Sequence, residues 1–446
     1  MANPFKAFMN VKRNELPLAL LMFGYFFLVI TSFWILKPLK KGLFIQYYDK
    51  TGFDLFSWHL GASQAELLAK VLNMFVAFLA VVVFTWLVRH FRRQQLTLIF
   101  TIFFMLSYAI YSMIIANPGQ ITVWSFYLFG DLFSTLMVAT FFAFLNDSVA
   151  PDAAKRLYGL IGLGGVTGGV FGTTFVRLWI DQVTMPGWLW ICFGIGIIIV
   201  GISAAAGSIV EKRTVNISGT IDKVKEKKSF EKKQRKGKNP AIEGAALVFR
   251  SPYLLSIVGI VGLYEVVSTL MDFQFTSTIV HYLDGPAIGK QFATVFTITN
   301  WTSMLVQFFL TSFIMTRFGL TTALMILPIA ALVGSMGYLA VPILWMGSLL
   351  NTADNGFSYS INQSAKETLY VPTTREEKYK AKAFIDMFVQ RFAKALAVGI
   401  SLLVTSIFTD YSGIRWLSIA TVAITVAWIF VVRFAGRKFK EMSEKK

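Results

Sequence analysis

Three lysines end the first long apolar run of the sequence, in the stretch FWILKPLKKGLFI (residues 33–45). Lys37, Lys40 and Lys41 lie three and four positions apart, so a helix that continues through them presents the three ammonium groups on one face. Pro38 removes a backbone donor and can bend the axis, but a bend leaves the lysines on the same side. Such a strip can bind an anion. The alternative is an anchor, in which long aliphatic stems carry the ammonium groups outward to water.

Other ionisable residues also interrupt apolar runs. A charge at the centre of a membrane helix costs about 2.5–3.5 kcal/mol on insertion scales, so it usually faces a partner or a water-filled cavity. We predict a cavity role for Glu265 and Lys394, with a structural ion pair as the alternative, and a structural role for Asp272 and Arg177 near helix ends. The residues that we predict to bind an anionic substrate are Lys37, Lys40, Asp131, Glu265, Arg391 and Lys394.

The composition is that of a polytopic membrane protein. Of the 446 residues, 55% are hydrophobic and only 15% are charged, and the mean hydropathy is +0.61. A bilayer core about 30 Å thick needs roughly 20 apolar residues per helix, and runs of that length recur through the whole chain. The composition therefore leaves no room for a separate soluble domain.

Hydropathy predicts an all-α membrane protein with twelve transmembrane helices. A lysine-rich segment divides them six and six, which is the layout of the major facilitator architecture. The predicted domains are an N-terminal six-helix bundle (1–210), a basic cytoplasmic linker (211–250) and a C-terminal six-helix bundle (251–446). The predicted spans are 17–37, 66–88, 96–116, 122–145, 158–180, 188–210, 253–275, 291–315, 320–341, 342–362, 382–408 and 414–434.

The basic residues predict the orientation of the chain. If the N-terminus is cytoplasmic, the cytoplasmic segments hold about 32 of the 42 Lys and Arg residues, as the positive-inside rule requires. We therefore expect a multi-pass inner-membrane protein with both termini in the cytoplasm. This topology puts Lys37, Lys40 and Lys41 at the outer end of the first helix, where lysine is disfavoured. In major facilitator bundles helices one, four and seven line the central cavity, so we expect most of the charges to converge near the midplane.

Several classes of function lack support in the sequence. The net charge of +18 follows mainly from topology and attraction to an anionic leaflet. A nucleic-acid-binding linker is the sharper alternative, but it shows no aromatic interleaving or fold signature, so no nucleic-acid partner is predicted. The three histidines (His59, His90 and His281) form no ligand cluster, and Cys192 lies inside an apolar span. We expect no cofactor, no metal and no enzymatic activity.

The glycine-rich stretch GLIGLGGVTGGVFG (residues 159–172) matches neither G-x-G-x-x-G nor the Walker pattern. Its glycines instead fall at small-xxx-small spacing, as in Gly164 with Gly168, Gly165 with Gly169, and Gly168 with Gly172. This spacing is typical of helices that pack closely against each other in a membrane. We therefore predict a packing surface rather than a phosphate loop.

Two loops carry a resemblance to a known family. The segments FLNDSVAPDAAKRLYGLIGLGG (144–165) and SAKETLYVPTTREEKYKAKAFID (364–386) follow the fourth and tenth predicted helices. Around these segments, NDSVAPDAAKR and NQSAKETLYVPTTREEKYKAK both begin with Asn and a small polar residue and then become basic, a weak internal echo. They resemble the corresponding loops of the nucleotide transporter family, the ATP:ADP antiporters of plastids and intracellular bacteria. The second segment is the more specific, with KE, then Y-x-P, then K-x-K-A-x-x-D in the order of the family.

The resemblance implies roles for particular residues. The family's basic residue late in helix one falls on Lys40, with Lys37 three positions earlier. Its glutamate in helix seven falls on Glu265, and its lysine in helix eleven falls on Lys394. Two positions depart from the family. Its acid in helix four falls on Gly130, next to Asp131 but about 100° away around the helix, and Arg391 lies in a bulky run where small residues and proline are usual.

The predicted function is exchange of nucleotides (ATP/ADP-like) or related phosphorylated anions by alternating access, by a monomer in a lipid bilayer. Lys37, Lys40 and Lys394 would neutralise phosphate, and Glu265 would pair with a lysine in the empty cavity. One alternative keeps the fold but transports another organic or amphiphilic, lipid-like anion, with a proton carried by Glu265. Another is a membrane scaffold or receptor that recruits a partner through its basic linker.

Overall fold

Long helices form the structure because the bilayer offers the backbone no water, so each spanning segment must satisfy its N–H and C=O groups internally. The computed structural model describes residues 12–13, 15–149, 151–217, 240–374, 377, 381–382, 384–408 and 410–444. Contacts divide the chain into two units. One comprises Met1–Gly219 and Leu283–Met304, and the other comprises Thr220–Tyr282 and Leu305–Lys446. The basic core of the predicted linker, residues 218–239, lies outside the described residues.

The N-terminal unit contains seven long helices among its described residues. The first, α1, runs through Pro38 to Tyr48 and is followed by a short antiparallel hairpin, β1 and β2, in which Asp54 pairs with His59. The elements are α1 (Leu16–Tyr48), β1 (Phe53–Leu55), β2 (Trp58–Leu60), α2 (Ala62–His90), α3 (Arg93–Ile114), α4 (Gln120–Ser148), α5 (Pro151–Trp179), α6 (Met185–Ile217) and α9 (Pro286–Leu305).

The glycines of α5 lie directly against the backbone of α1. A Cβ atom added to Gly164 would lie 2.5 Å from the carbonyl oxygen of Phe23, and one added to Gly168 would lie 2.4 Å from that of Phe27. Thr31 donates a hydrogen bond from Oγ1 to the carbonyl oxygen of Gly168 at 3.3 Å. The glycine-rich stretch is thus a helix-packing surface, as its spacing predicted.

Helix α9 belongs to the N-terminal unit although it follows the linker in the sequence. Thr297 donates to the carbonyl oxygen of Thr173 at 3.0 Å, and the Trp301 indole donates to Thr174 Oγ1 at 3.1 Å. Hydropathy alone does not indicate that α9 packs in the N-terminal unit. The domain boundaries drawn from hydropathy at 210 and 251 stay a prediction.

In the C-terminal unit, α8 (Pro252–Tyr282) packs against α12 (Leu344–Phe357), α14 (Gln390–Ile407) and α16 (Leu417–Glu444). Among the described residues of the unit, three helical stretches contain a π-helical turn, a feature frequent at functional sites. These turns are Val306–Thr311, Ser358–Asn362 and Ile385–Val389. The remaining helices are α7 (Pro240–Arg250), α10 (Ser312–Arg317), α11 (Gly319–Ala340), α13 (Gln363–Leu369) and α15 (Tyr411–Ile414).

The all-α membrane fold is confirmed, with the hairpin as a small addition. Among the described residues, ten helices are long and apolar enough to cross a membrane. The two other predicted spans, 291–315 and 342–362, correspond to helical segments that a π-helical turn interrupts. The total of twelve spans therefore stays a prediction.

Candidate functional site

Helix α1 carries its lysines within the protein rather than at its end. The predicted span stopped at residue 37, but the helix continues to Tyr48, about 12 Å beyond Lys40 at 1.5 Å per residue. Lys40 and Lys41 are each only 5% exposed. The anchor alternative, with the ammonium group reaching outward to water, is wrong for Lys41, because its side chain is buried and paired with Glu66. A buried ammonium group needs a partner, so the neighbours of these lysines define the site.

The partner of Lys40 is Asp131 on α4. Their side chains form an ion pair in which Lys40 is 5% exposed and Asp131 28% exposed. The Lys40 ammonium also donates to the carbonyl oxygen of Tyr127 at 3.4 Å and lies 4.5 Å from the centroid of its ring. The pairing limits the cost of burying the lysine, which keeps its charge available for an anion.

Gly130 fits this arrangement because it has no side chain. A Cβ atom at this position would lie 2.5 Å from Cδ of Lys40. The acid of helix four that the family resemblance aligned with Gly130 would therefore collide with the lysine stem. Asp131, one position further on, supplies the carboxylate that meets Lys40.

Lys41 meets a second carboxylate, Glu66 on α2, which the sequence reasoning missed. Glu66 is fully buried, and its Oε1 lies 3.3 Å from the Lys41 ammonium. Lys70, one turn further along α2, lies 3.2 Å from Oε2, and the Tyr127 hydroxyl donates to Oε1 at 2.8 Å. We call Lys40, Lys41, Glu66, Lys70, Tyr127 and Asp131 the N-terminal cluster.

Lys37, one turn before Lys40, lies among aromatic rings. Its ammonium group is 4.4 Å from the centroid of Trp34, 5.0 Å from Phe296 and 5.8 Å from Phe33. Cation–π contacts of this kind stabilise a partly buried ammonium group without neutralising it. Lys37 thus extends the positive face of α1 toward α9.

In the C-terminal unit, Glu265 on α8 and Lys394 on α14 form the pair that the sequence predicted as site residues. Their charged atoms are 3.5 Å apart, with Glu265 12% exposed and Lys394 49% exposed. Lys366 lies 5.0 Å from the ring centroid of Tyr264 and interacts electrostatically with Glu265. The pair is looser and more open than the one between Lys40 and Asp131.

A buried carboxylate on α12 joins this region. Asp354 is 2% exposed and accepts a hydrogen bond from Ser268 at 2.6 Å. Asp272, one turn further along α8, accepts from the Asn351 amide at 3.2 Å. Asp272 lies ten residues from the end of α8, because the helix is longer than predicted. We call Tyr264, Glu265, Ser268, Asp354, Lys366 and Lys394 the C-terminal cluster.

Arg391 lies three residues before Lys394 on α14, which places the two on neighbouring parts of one helical face. Its side chain is partly buried. Within the described part of the chain, no group of three or more His, Cys, Asp and Glu side chains is arranged to hold a metal ion.

The residues that sequence reasoning missed had a visible signal. Glu66 and Lys70 stand at positions i and i+4 of an otherwise apolar run, and Asp354 lies inside a predicted span. Glu66 is the first residue of the predicted span 66–88, a position where a charge needs no explanation. The helix in fact begins at Ala62, and the packing of α1 and α4 covers the carboxylate.

The fold and these clusters define a class, a multi-pass membrane protein built like the major facilitator transporters. The chain superposes with a TM-score of 0.65 on a variant of the nucleoside transporter NupG, covering 94% of this chain and 99% of the other at 12% identity. A bacterial homologue of the human lysosomal transporter Spinster gives 0.59, with 97% and 99% covered at 14% identity.

The profile of the TLC ATP/ADP transporter family matches residues 119–345 and 341–439, and the chain belongs to this family. It is 23% identical over 372 residues to ADP,ATP carrier protein 2 of Chlamydia trachomatis, covering 73% of this chain and 67% of that protein. ADP,ATP carrier protein 1 of Rickettsia bellii is 19% identical, with 98% and 95% covered. The chain spans about two thirds of the length of the chlamydial carriers that it matches, including 63% for carrier protein 1 of Chlamydia muridarum.

Proposed function

We propose that this protein is a membrane transporter that exchanges nucleotides of the ADP and ATP type. The observation that carries the proposal is the buried ion pair of Lys40 and Asp131 in a chain of the TLC ATP/ADP transporter family. Relatives of that family are named as ADP,ATP carriers. Lysine is a point-charge partner for phosphate oxygens, which suits Lys40 to the phosphate end of such a substrate.

In the empty protein, the carboxylates act as counter-ions for the lysines. An incoming phosphate replaces Asp131 as the partner of Lys40, and the released carboxylate, which is 28% exposed, gains water or a substrate hydroxyl. Asp131 can then re-form its pair with Lys40 when the phosphate leaves. Because neither charge remains buried and unpaired, each step avoids the large penalty of an isolated ion.

The pair of Glu265 and Lys394 gives the C-terminal unit a lysine whose carboxylate partner a phosphate can replace in the same way. Lys394 is half exposed and only loosely paired with Glu265 at 3.5 Å, so a phosphate can take it over at small cost. Lys366 interacts with Glu265 as well, which leaves that carboxylate with a cation once Lys394 has turned to the substrate. Arg391, one turn away, adds a second donor for the anion.

Counter-exchange follows from this competition. The carboxylate–lysine pairs hold the empty protein in one state, and a nucleotide that replaces those carboxylates lowers the barrier between the two states, so one nucleotide must leave as another enters. We further propose, from the distribution of Lys and Arg, that both termini lie in the cytoplasm. We also propose that the protein works as a monomer in the inner membrane.

The test is uptake of labelled ADP and ATP by proteoliposomes containing the wild-type protein, with and without unlabelled nucleotide inside. We expect uptake that requires internal nucleotide and that falls at least tenfold in Lys40→Ala. A matched control is Lys290→Ala, which removes the exposed partner of Asp181 in the same unit. Wild-type uptake in Lys40→Ala would rule out the phosphate role. Uptake that follows a pH gradient and ignores internal nucleotide would instead favour a proton-coupled transporter of another organic anion.

A further inference from the structure

Lys41 is adjacent to Lys40 in the chain but has its own set of contacts. Its ammonium group lies 3.3 Å from Glu66 Oε1 and 5.1 Å from the ring centroid of Phe292. Successive residues of a helix point about 100° apart. The two lysines therefore leave α1 in different directions, each toward a carboxylate on a different helix.

Two lysines contact the single carboxylate group of Glu66. Lys41 and Lys70 both approach its carboxylate, at 3.3 and 3.2 Å, and the Tyr127 hydroxyl donates a third contact at 2.8 Å. If Lys41 turns away, Glu66 keeps the other two partners. Releasing Lys41 therefore leaves no isolated buried carboxylate. When a one-to-one pair is broken, such an isolated charge remains and makes the break costly.

Tyr127 connects the two lysines. Lys40 lies 4.5 Å from the centroid of its ring and binds its carbonyl oxygen, while its hydroxyl group binds the carboxylate that holds Lys41. Lys40 also interacts electrostatically with Glu66. Across the charged side chains of the N-terminal cluster, three ammonium groups meet two carboxylates. Tyr127 therefore links the carboxylate that holds Lys41 to the proposed phosphate site at Lys40.

We propose that Lys41 is a second phosphate-binding residue and that Glu66 is its positioning residue, so that the N-terminal cluster binds two linked phosphate groups rather than one. Lys40 takes one phosphate and Lys41 takes its neighbour, while Lys70 and Tyr127 retain Glu66. The inference rests on the proposed function and makes it more specific. What it adds is the assignment of Lys41 and Glu66 as the residues that distinguish linked phosphate groups from a single phosphate.

The test uses inorganic pyrophosphate and inorganic phosphate as probes, with affinities taken from thermal-shift titrations of the purified full-length protein. Wild type is expected to bind pyrophosphate at least tenfold more tightly than phosphate. The double variant Lys41→Met/Glu66→Gln removes both charges together, so no unpaired ion is left in the interior. We expect it to lose about tenfold or more in pyrophosphate affinity, as for a lost hydrogen bond to a charged group, with phosphate affinity unchanged.

Two further variants separate binding from structure. Lys41→Arg keeps the charge and is expected to retain the preference for pyrophosphate. The matched control Lys290→Met/Asp181→Asn removes an exposed ion pair of the same unit and is expected to leave both affinities unchanged.

Two results would overturn the inference. One is a wild type that binds pyrophosphate no more tightly than phosphate. The other is pyrophosphate binding at wild-type strength in Lys41→Met/Glu66→Gln, which is the result expected if the pair is only structural. Failure of the proposed function looks different, because a wild type that binds pyrophosphate but exchanges no labelled ADP contradicts transport and leaves the paired-phosphate site intact.

Discussion

Lys40 and Asp131 form an ion pair between α1 and α4, and only 5% of the Lys40 side chain is exposed. Breaking a fully buried pair costs about 3–5 kcal/mol, because one charge is left behind. The cost here is lower since Asp131 keeps some access to water. The pair therefore contributes to stability as well as to the proposed substrate binding, and substitutions can separate the two.

The first prediction concerns this separation. Asp131→Asn is expected to lower the melting temperature by several degrees, because Lys40 loses its counter-ion, and Lys40→Met is expected to abolish nucleotide exchange. The double variant Lys40→Met/Asp131→Asn should regain stability, since no unpaired charge remains, without regaining exchange. Melting temperatures of the purified proteins and uptake by proteoliposomes measure the two effects. Recovery of exchange in the double variant would contradict a direct role of Lys40.

Part of this site could be predicted from the sequence. A charge inside an apolar run is visible without a structure, which is why Lys40, Asp131, Glu265 and Lys394 could be singled out. Lys40 with Asp131, and Glu265 with Lys394, are paired in the structure. That they bind substrate remains a prediction. Glu66 could not be recognised in the same way, because its burial depends on how far α2 extends and on which helices cover it.

The second prediction concerns the glycine surface of α5. Gly168→Ala would place a Cβ atom 2.4 Å from the carbonyl oxygen of Phe27, whereas a Cβ atom at Gly162 would meet no atom within 4 Å. Gly168→Ala is therefore expected to destabilise the protein by about 1–3 kcal/mol through overpacking. Gly162→Ala, the control on the same helix, is expected to be neutral or stabilising by up to about 1 kcal/mol. Thermal unfolding compares the two, and equal melting temperatures would contradict close packing of α5 on α1.

The third prediction concerns Glu265 and Lys394. Their charged atoms are 3.5 Å apart, with Glu265 only 12% exposed but Lys394 49% exposed. The pair therefore contributes modestly to stability, about 1 kcal/mol, at the upper end of the range for exposed pairs. Glu265→Gln and Lys394→Gln are therefore expected to leave the melting temperature close to that of wild type and to reduce nucleotide exchange at least tenfold. For Asp131→Asn, by contrast, the melting temperature is expected to fall. A large loss of stability in either variant would indicate a structural ion pair instead.

The fold was predictable where it depends on hydropathy and less so where it depends on packing. Apolar runs are enough to locate long helices, because the bilayer sets their length. Three features follow from contacts between distant segments. They are the continuation of α1 through Pro38, the π-helical turns such as Ser358–Asn362, and the position of α9 beside α5. In each case the local sequence is compatible with more than one outcome.

The fourth prediction concerns Asp49, which follows the spanning part of α1. Burial raises the pKa of its carboxyl group above the usual 3.8. A hydrogen bond from the Gly285 N–H lowers the pKa, nearby Asp284 raises it, and Lys50 lowers it. Its Oδ2 atom is buried without a hydrogen-bond partner. A carboxyl group whose pKa is raised by folding favours the folded state when it is protonated. That contribution is complete below pH 3.8 and is lost as the pH rises through the folded pKa.

Asp49→Asn removes this titration, because the amide stays neutral at every pH. The melting temperature of the variant is expected to equal that of wild type near pH 3.8 and to exceed it increasingly as the pH rises, until the difference levels off above the folded pKa. Thermal unfolding of both proteins between about pH 4 and pH 8 measures the difference. Asp410→Asn, at the start of α15 in the other unit, is the control for changing a carboxyl group to an amide. A constant difference between Asp49→Asn and wild type would show that Asp49 does not titrate in this range.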